Sequence, residues 1–187
     1  MDQVTGRDQA VLETIYHRRA VRSFGPDRID EQTIRTLLAA AVQAPTAMHL
    51  EPWTFVVIQD RAVLERYSNR AVAMVKPDAG LTRLVAAGGD IFHGAGTLIV
   101  ICGKPLGAFV VADCWLAGEN LMLAADALGL GTCCIGFAVP LLNAAEVKRE
   151  LGIPADVTAV APIIVGVPAD IAPPVSRKPP DILRWVR

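Results

Sequence analysis

His17-Arg18-Arg19-Ala20-Val21-Arg22-Ser23-Phe24 places three arginines within five residues, at the point where a first amphipathic segment ends. A guanidinium presents a planar fork of donors that matches phosphate oxygens, and three such groups fanning from one turn can reach different parts of one anionic ligand. Taken alone, the stretch fits a solvated basic face or a surface salt-bridge cluster equally well. The rest of the chain has to decide between them.

Upstream, residues 8–19 are predicted to be a helix, with Asp8 as its N-cap and Val11, Leu12, Ile15 and Tyr16 as an apolar stripe. Downstream, Gly25-Pro26 turns the chain and Asp30 caps a second helix. Its Ile34, Leu37, Leu38, Ala41 and Val42 recur at helical spacing, and Pro45 ends it. Trp53–Ile58 is a β-prone run suited to a strand buried on both faces, after which Asp60 caps a third helix reaching about Met74. Residues 76–95 mix glycines with short apolar pieces and are expected to form an excursion over the core or a lid.

Thr97–Cys102 is predicted to be a second buried strand. Phe109–Leu128, apolar nearly all round apart from Asp113, Glu119, Asn120 and Asp126, is predicted to be a central helix packed on most sides. Gly129-Leu130-Gly131 stops it, and Thr132–Phe137 follows as a short strand. An Asn143/Glu146 capping box opens a helix that Gly152 closes, and Val157–Val167 forms a long strand. The tail carries Pro173, Pro174, Pro179 and Pro180, a composition suited to an arm laid across a partner subunit.

Composition excludes several classes of function. In 187 residues, 18 Lys+Arg balance 19 Asp+Glu for a net charge of -1, so no global basic field exists to hold nucleic acid or an acidic membrane surface. The expected partner is a small molecule. Hydrophobic residues reach 52%, an excess that a subunit interface would absorb. The length suits one domain over 1–187. Neither a signal peptide nor a membrane span is expected, which points to the cytoplasm.

Cys102, Cys114, Cys133 and Cys134 sit in apolar segments and are expected to be reduced core thiols; the vicinal Cys133-Cys134 pair fits either a redox-active pair or a pocket-lining strand. His17, His49 and His93 are too scattered for a metal site. Gly129-x-Gly131 closes a helix and opens a strand, the reverse of a dinucleotide-binding fingerprint.

A second informative stretch is Ala44-Pro45-Thr46-Ala47-Met48-His49-Leu50-Glu51-Pro52-Trp53, a proline-stiffened connection from a helix to a strand. Small Thr46 and Ala47 permit close approach of a flat ligand, with Met48 and His49 projecting over its face. With the arginine stretch, it resembles the nitroreductase family of FMN-dependent oxidoreductases. The family opens with Arg-Arg/His-Ser-x-Arg/Lys-x-Phe and continues with Pro-Ser-x-x-Asn-x-Gln-Pro-Trp. The likeness extends through Asp113, Asn120, Ala127–Phe137, Gly166-Val167-Pro168 and Arg177.

That resemblance implies an α+β sandwich, a mainly antiparallel sheet of four or five strands flanked by helices, built as an intertwined homodimer with FMN at the interface. It implies that Arg18 and Arg177 hold the FMN phosphate, the latter from the opposite subunit, and that Arg19 and Ala20 line the ribityl and phosphate region. Arg22 would lie at the N1/O2 edge of the ring and tune the flavin. Pro45, Thr46 and Ala47 would border the ring, with Cys133, Cys134, Ile135 and Gly136 near its N5 edge. Met48 and His49 would face substrate.

No side chain is expected to act as a catalytic nucleophile, because flavin N5 carries the hydride. The implied reaction passes electrons from NADH or NADPH to a nitroaromatic, quinone or similar acceptor by a ping-pong mechanism. Two alternatives stay open: a non-catalytic FMN-binding, storage or sensing protein, and a specialised relative that dehalogenates, oxidises azolines or fragments flavin. Ala20, His49 and Glu51 stand where Ser, Asn and Gln are common in the family, and a protonated His49 is expected to favour anionic acceptors.

Overall fold

The computed structural model describes residues 6–74, 89–171 and 173–187. Four strands form one antiparallel sheet: β1 (Trp53–Ile58), β2 (Thr97–Gly103), β3 (Gly131–Cys134) and β4 (Thr158–Gly166), in the order β1-β2-β4-β3. The helices are α1 (Gly6–His17), α2 (Glu31–Ala41), α3 (Arg61–Met74), α4 (Val110–Ala127), α5 (Val139–Leu142) and α6 (Ala145–Glu150).

Side chains alternate across a strand, so the buried β2 sends Leu98, Val100 and Cys102 to one face and Ile99 and Ile101 to the other. The first face packs with Tyr67, Phe92, Leu141 and Leu142. The second packs with Leu37 of α2 and Ala117 and Leu121 of α4. The result is the expected α+β layering, with the sheet between two helical layers.

Local signals hold where they depend on a few neighbouring residues. Asp30 accepts the Thr33 N–H at 2.7 Å, and Asp60 accepts the N–H groups of Ala62 and Val63 at 2.9 and 3.1 Å. Each satisfies amides that have no partner inside the helix.

Other expectations are corrected by tertiary context. α1 begins two residues before Asp8, so Asp8 lies within the helix and does not cap it. Its stripe of Val11, Leu12, Ile15 and Tyr16 is exposed in the isolated chain. β1 is an edge strand, with Val57 exposed, because no strand among the described residues lies beyond it. α4 buries Asp113, Cys114, Ala117, Leu121 and Ala125, but Val111, Trp115 and Leu116 remain open to solvent on its other side. β3 ends at Cys134, three residues early, where a 3-10 turn over Gly136–Ala138 takes over.

Asn143 does not open the helix that follows, whose N-cap is Ala144, but closes α5 as its C-cap. Its amide donates to Val139 O at 3.0 Å and Ala159 O at 2.9 Å, and its Oδ1 accepts the Ala159 N–H at 3.0 Å, which staples α5 to β4. The expected excursion or lid falls largely outside the described residues. Its last part, Gly89–Ala95, is a tight turn anchored by fully buried Ile91 and Phe92. On the same side of the sheet, Tyr67 Oη donates to Glu150 at 2.8 Å and Arg70 to Glu150 at 3.0 Å, joining α3 to α6. No helix among the described residues is long and apolar enough to cross a membrane.

Candidate active site

The arginine stretch is fastened to the sheet margin. Ala20 forms a parallel bridge with Thr132, Val21 N–H donates to Thr132 O at 2.9 Å, and Phe24 bridges Pro168. Gly25 N–H reaches Val167 O at 2.9 Å and Ala169 N–H reaches Ser23 O at 3.0 Å. Two glycines make this approach possible. Gly131 and Gly166 are directly paired across β3 and β4. A Cβ on Gly131 would stand 2.8 Å from Val21, and one on Gly166 would stand 2.6 Å from the Phe24 ring.

This fastening brings the arginines to β3 and to the outer half of α4. Arg18 Nε forms an ion pair with a Glu119 carboxylate oxygen at 3.3 Å but lacks hydrogen-bond geometry, and both Arg18 Nε and Arg19 Nε are buried without a hydrogen bond. Arg19 also donates to the carbonyls of Tyr16 and Arg18. Buried donors are nearly always hydrogen-bonded, so these two retain donor capacity for an anion. His17, the residue before them, pairs with Asp126 at 3.0 Å. A cleft of about 430 Å³ opens here, lined by His17, Arg18, Arg19, Asp126, Leu130 and the start of the tail, among others. Arg22, Ala20 and Cys133–Gly136 lie outside its lining.

The vicinal thiols point to opposite faces of β3, as strand alternation requires. Cys133 joins the core; burial pushes its thiol up, and the Arg22 and Arg18 charges oppose that shift. Cys134 is exposed with its Sγ 3.5 Å from Met122 Sδ, and desolvation followed by its neighbour Cys133 pushes it up to about 11. All four cysteines are free. Ile135 is buried and Gly136 is exposed at the start of the 3-10 turn.

His93 was not singled out by sequence reasoning. It is half-buried with a left-handed φ of 54°, and burial and then the nearby Arg22 charge lower its pKa. The Asp90-x-x-x-Gly94 spacing could have flagged the turn, since Asp90 accepts the N–H groups of Phe92 and Gly94 at 2.9 and 2.7 Å. Likewise the His17–Asp126 pair, separated by 109 residues, left no local trace.

The second sequence-selected stretch is a strained hook. Met48, His49 and Glu51 all have left-handed backbones, at φ 52°, 56° and 44°. That conformation costs about 1 kcal/mol or more for each non-glycine residue. Tertiary contacts impose it. The buried Asp113 carboxylate accepts the Ala47 N–H at 3.2 Å, and Thr46 Oγ1 accepts the Glu51 N–H at 3.3 Å. Met48 is 89% exposed and the His49 side chain 91%.

Within one chain these two groups are not brought together. The hook meets α4 at Asp113, whereas Arg18 meets it at Glu119 and His17 at Asp126. At 1.5 Å per residue, those contacts are about 9 and 20 Å further along the helix. Arg177 lies on the exposed, irregular tail and makes no ion pair with the described residues.

An arginine-lined seam on a glycine floor, at the margin of a helix-flanked antiparallel sheet, describes an α+β protein equipped to hold an anion. The Nitroreductase family model matches residues 15–167. A protein of Archaeoglobus fulgidus, whose name joins NADH dehydrogenase to NAD(P)H nitroreductase, is 32% identical over 165 residues, covering 85% of this chain and 86% of that one. The chain belongs to the nitroreductase family.

Among solved structures, a nitroreductase with bound FMN from Desulfitobacterium hafniense shares the fold at a TM-score of 0.83 and 23% identity, over 95% of this chain and 98% of that one. A nitroreductase with bound FMN from Bacteroides fragilis gives 0.81 and 26% identity, over 94% and 97%.

Proposed function

We propose that this protein binds FMN without a covalent bond and passes electrons from NADH or NADPH to a small acceptor, a nitroaromatic or quinone, taking the two in turn at one site. The observation that carries the proposal is the pair of buried guanidinium nitrogens on Arg18 and Arg19 that make no hydrogen bond at the glycine-floored seam. A phosphate monoester is the acceptor such donors lack. The adjoining cleft, about 430 Å³, falls in the size range of small-molecule sites. The FMN bound to the Bacteroides fragilis relative and the nicotinamide named for the Archaeoglobus fulgidus relative support the same reading.

When bound, FMN supplies two-electron chemistry at its N5. The chain supplies grip, orientation and charge. Arg18 would hold the phosphate, while Arg19 and Ala20 would line the ribityl and phosphate region. Arg22 would supply a fixed cation to stabilise negative charge at the N1/O2 edge. Cys133, Cys134, Ile135 and Gly136 would present backbone to the N5 side, and no side chain would need to serve as a nucleophile. Pro45, Thr46 and Ala47 border the ring, and Met48 and His49 meet the acceptor.

Because the hook and the seam are separated along α4, a complete site needs two copies, with the hook and Arg177 of the partner subunit closing on the seam. The uncovered apolar faces of α1 and α4 and the exposed Ile182, Leu183 and Trp185 of the tail support a homodimer. The four free thiols fit a reducing, cytoplasmic setting.

The test is the visible spectrum of the purified protein, followed by anaerobic mixing with NADH or NADPH. A yellow protein whose flavin band bleaches rapidly is expected. A colourless protein that also ignores added FMN refutes the proposal, and a flavin band that persists under both nicotinamides identifies a binding protein without turnover.

A further inference from the structure

From the Thr46–Glu51 hook we infer a charge filter that selects uncharged, planar electron acceptors and disfavours anionic ones. The inference rests on the flavin reading above and adds the class of acceptor. A left-handed backbone at three non-glycine residues is unfavourable, yet Met48 and His49 gain no burial from it within the chain. Asp113 and Thr46 hold the conformation in place through the Ala47 and Glu51 amides. Strain kept without a packing return concentrates at functional sites, and its effect here is to present two side chains outward.

The charge on those side chains is set by a neighbour. His49 Nε2 lies 3.3 Å from a Glu51 carboxylate oxygen. With the imidazole protonated the pair sums to zero; with it neutral the pair carries the glutamate's negative charge. The hook is therefore never net positive while Glu51 is ionised. The carboxylate of Asp113 beneath it adds no positive charge either. This reverses the expectation that a protonated His49 would attract anionic acceptors. At the hook, a carboxylate-bearing substrate meets neutral or repulsive ground, whereas an uncharged ring can lie against the exposed Met48.

The experiment uses the full-length FMN-loaded protein and two acceptors of nearly the same shape, 4-nitrobenzamide and 4-nitrobenzoate, at one pH and low ionic strength. The wild type is expected to favour the amide in kcat/KM. Glu51→Gln is expected to narrow that bias about three- to fivefold, the scale of one exposed charge pair. The narrowing should fade at about 0.5 M salt, where screening shortens the reach of exposed charges; a purely structural effect of the substitution would persist.

Titrating the oxidised protein with benzamide and benzoate, without nicotinamide, and following the flavin absorption should give the same ordering. A bias unchanged within about twofold in Glu51→Gln at low salt, or a wild type that prefers the anion, overturns the charge filter and leaves the flavin reading intact. Failure to take up FMN together with no turnover of either nitroarene overturns both.

Discussion

Gly131→Ala tests whether the arginine seam depends on a close approach of backbone to sheet. The new Cβ would lie 2.8 Å from Cβ, Cγ1 and Cγ2 of Val21, about 1 Å inside ordinary carbon contact. Val21 has little room to yield, being 9% exposed and tied to Thr132 by its own N–H. Overpacking of this kind costs about 1–3 kcal/mol. Losing the Val21–Thr132 hydrogen bond adds about 1 kcal/mol. The smaller unfolded-state entropy of alanine returns about 0.4–1 kcal/mol.

The net loss is about 2 kcal/mol, or roughly 4–8 °C in Tm for a chain of this size. Flavin affinity should fall as well, about tenfold if the shifted arginines give up about 1.4 kcal/mol of charged hydrogen bonding. Denaturant midpoints and fluorescence titration of the apoprotein with FMN measure the two effects. Gly96→Ala is the control, because its Cβ would meet nothing within 4 Å and its stability should be unchanged or slightly raised. Adding Val21→Gly to Gly131→Ala moves the gap to the other side of the contact, and should restore FMN affinity without restoring stability. A Gly131→Ala protein with wild-type stability and affinity refutes the argument, as does a double variant that binds FMN no better than the single one.

Three further outcomes follow from the same structure. Arg18→Ala and Arg177→Ala should each weaken FMN binding by about 1.5–3 kcal/mol in the apoprotein titration; unchanged affinity in both would return these residues to a surface role. Glu150 is held below its ordinary value of 4.5 by the Tyr67 hydroxyl and then by Arg70. Its stabilising contribution is therefore present above about 4.5 and lost as pH falls through the lower folded value, and Glu150→Gln should flatten that acid limb of a pH series of unfolding midpoints. Native alkylation at mildly alkaline pH should label Cys134 first, because it is exposed whereas Cys102, Cys114 and Cys133 are buried; equal labelling of all four by mass spectrometry would contradict the packing.

What the sequence determined by itself was whatever depends on spacing within a few residues. Asp30 and Asp60 cap their helices, Ile34, Leu37 and Ala41 turn one face of α2 inward, and Thr97–Cys102 forms a strand, all because capping, helical period and β propensity act locally. The arginine and proline motifs likewise marked the family through their order along the chain.

Only the tertiary structure decided the roles set by partners distant in sequence. Asn143, read as a cap, bonds to Ala159 across 16 residues, and the apolar stripe of α1, read from its period, faces outward. The left-handed hook exists because Asp113, 66 residues away, accepts the Ala47 amide. The same separation of contacts along α4 keeps hook and seam apart in one chain, which no local pattern encodes, since a period records which face is apolar and not what comes to cover it.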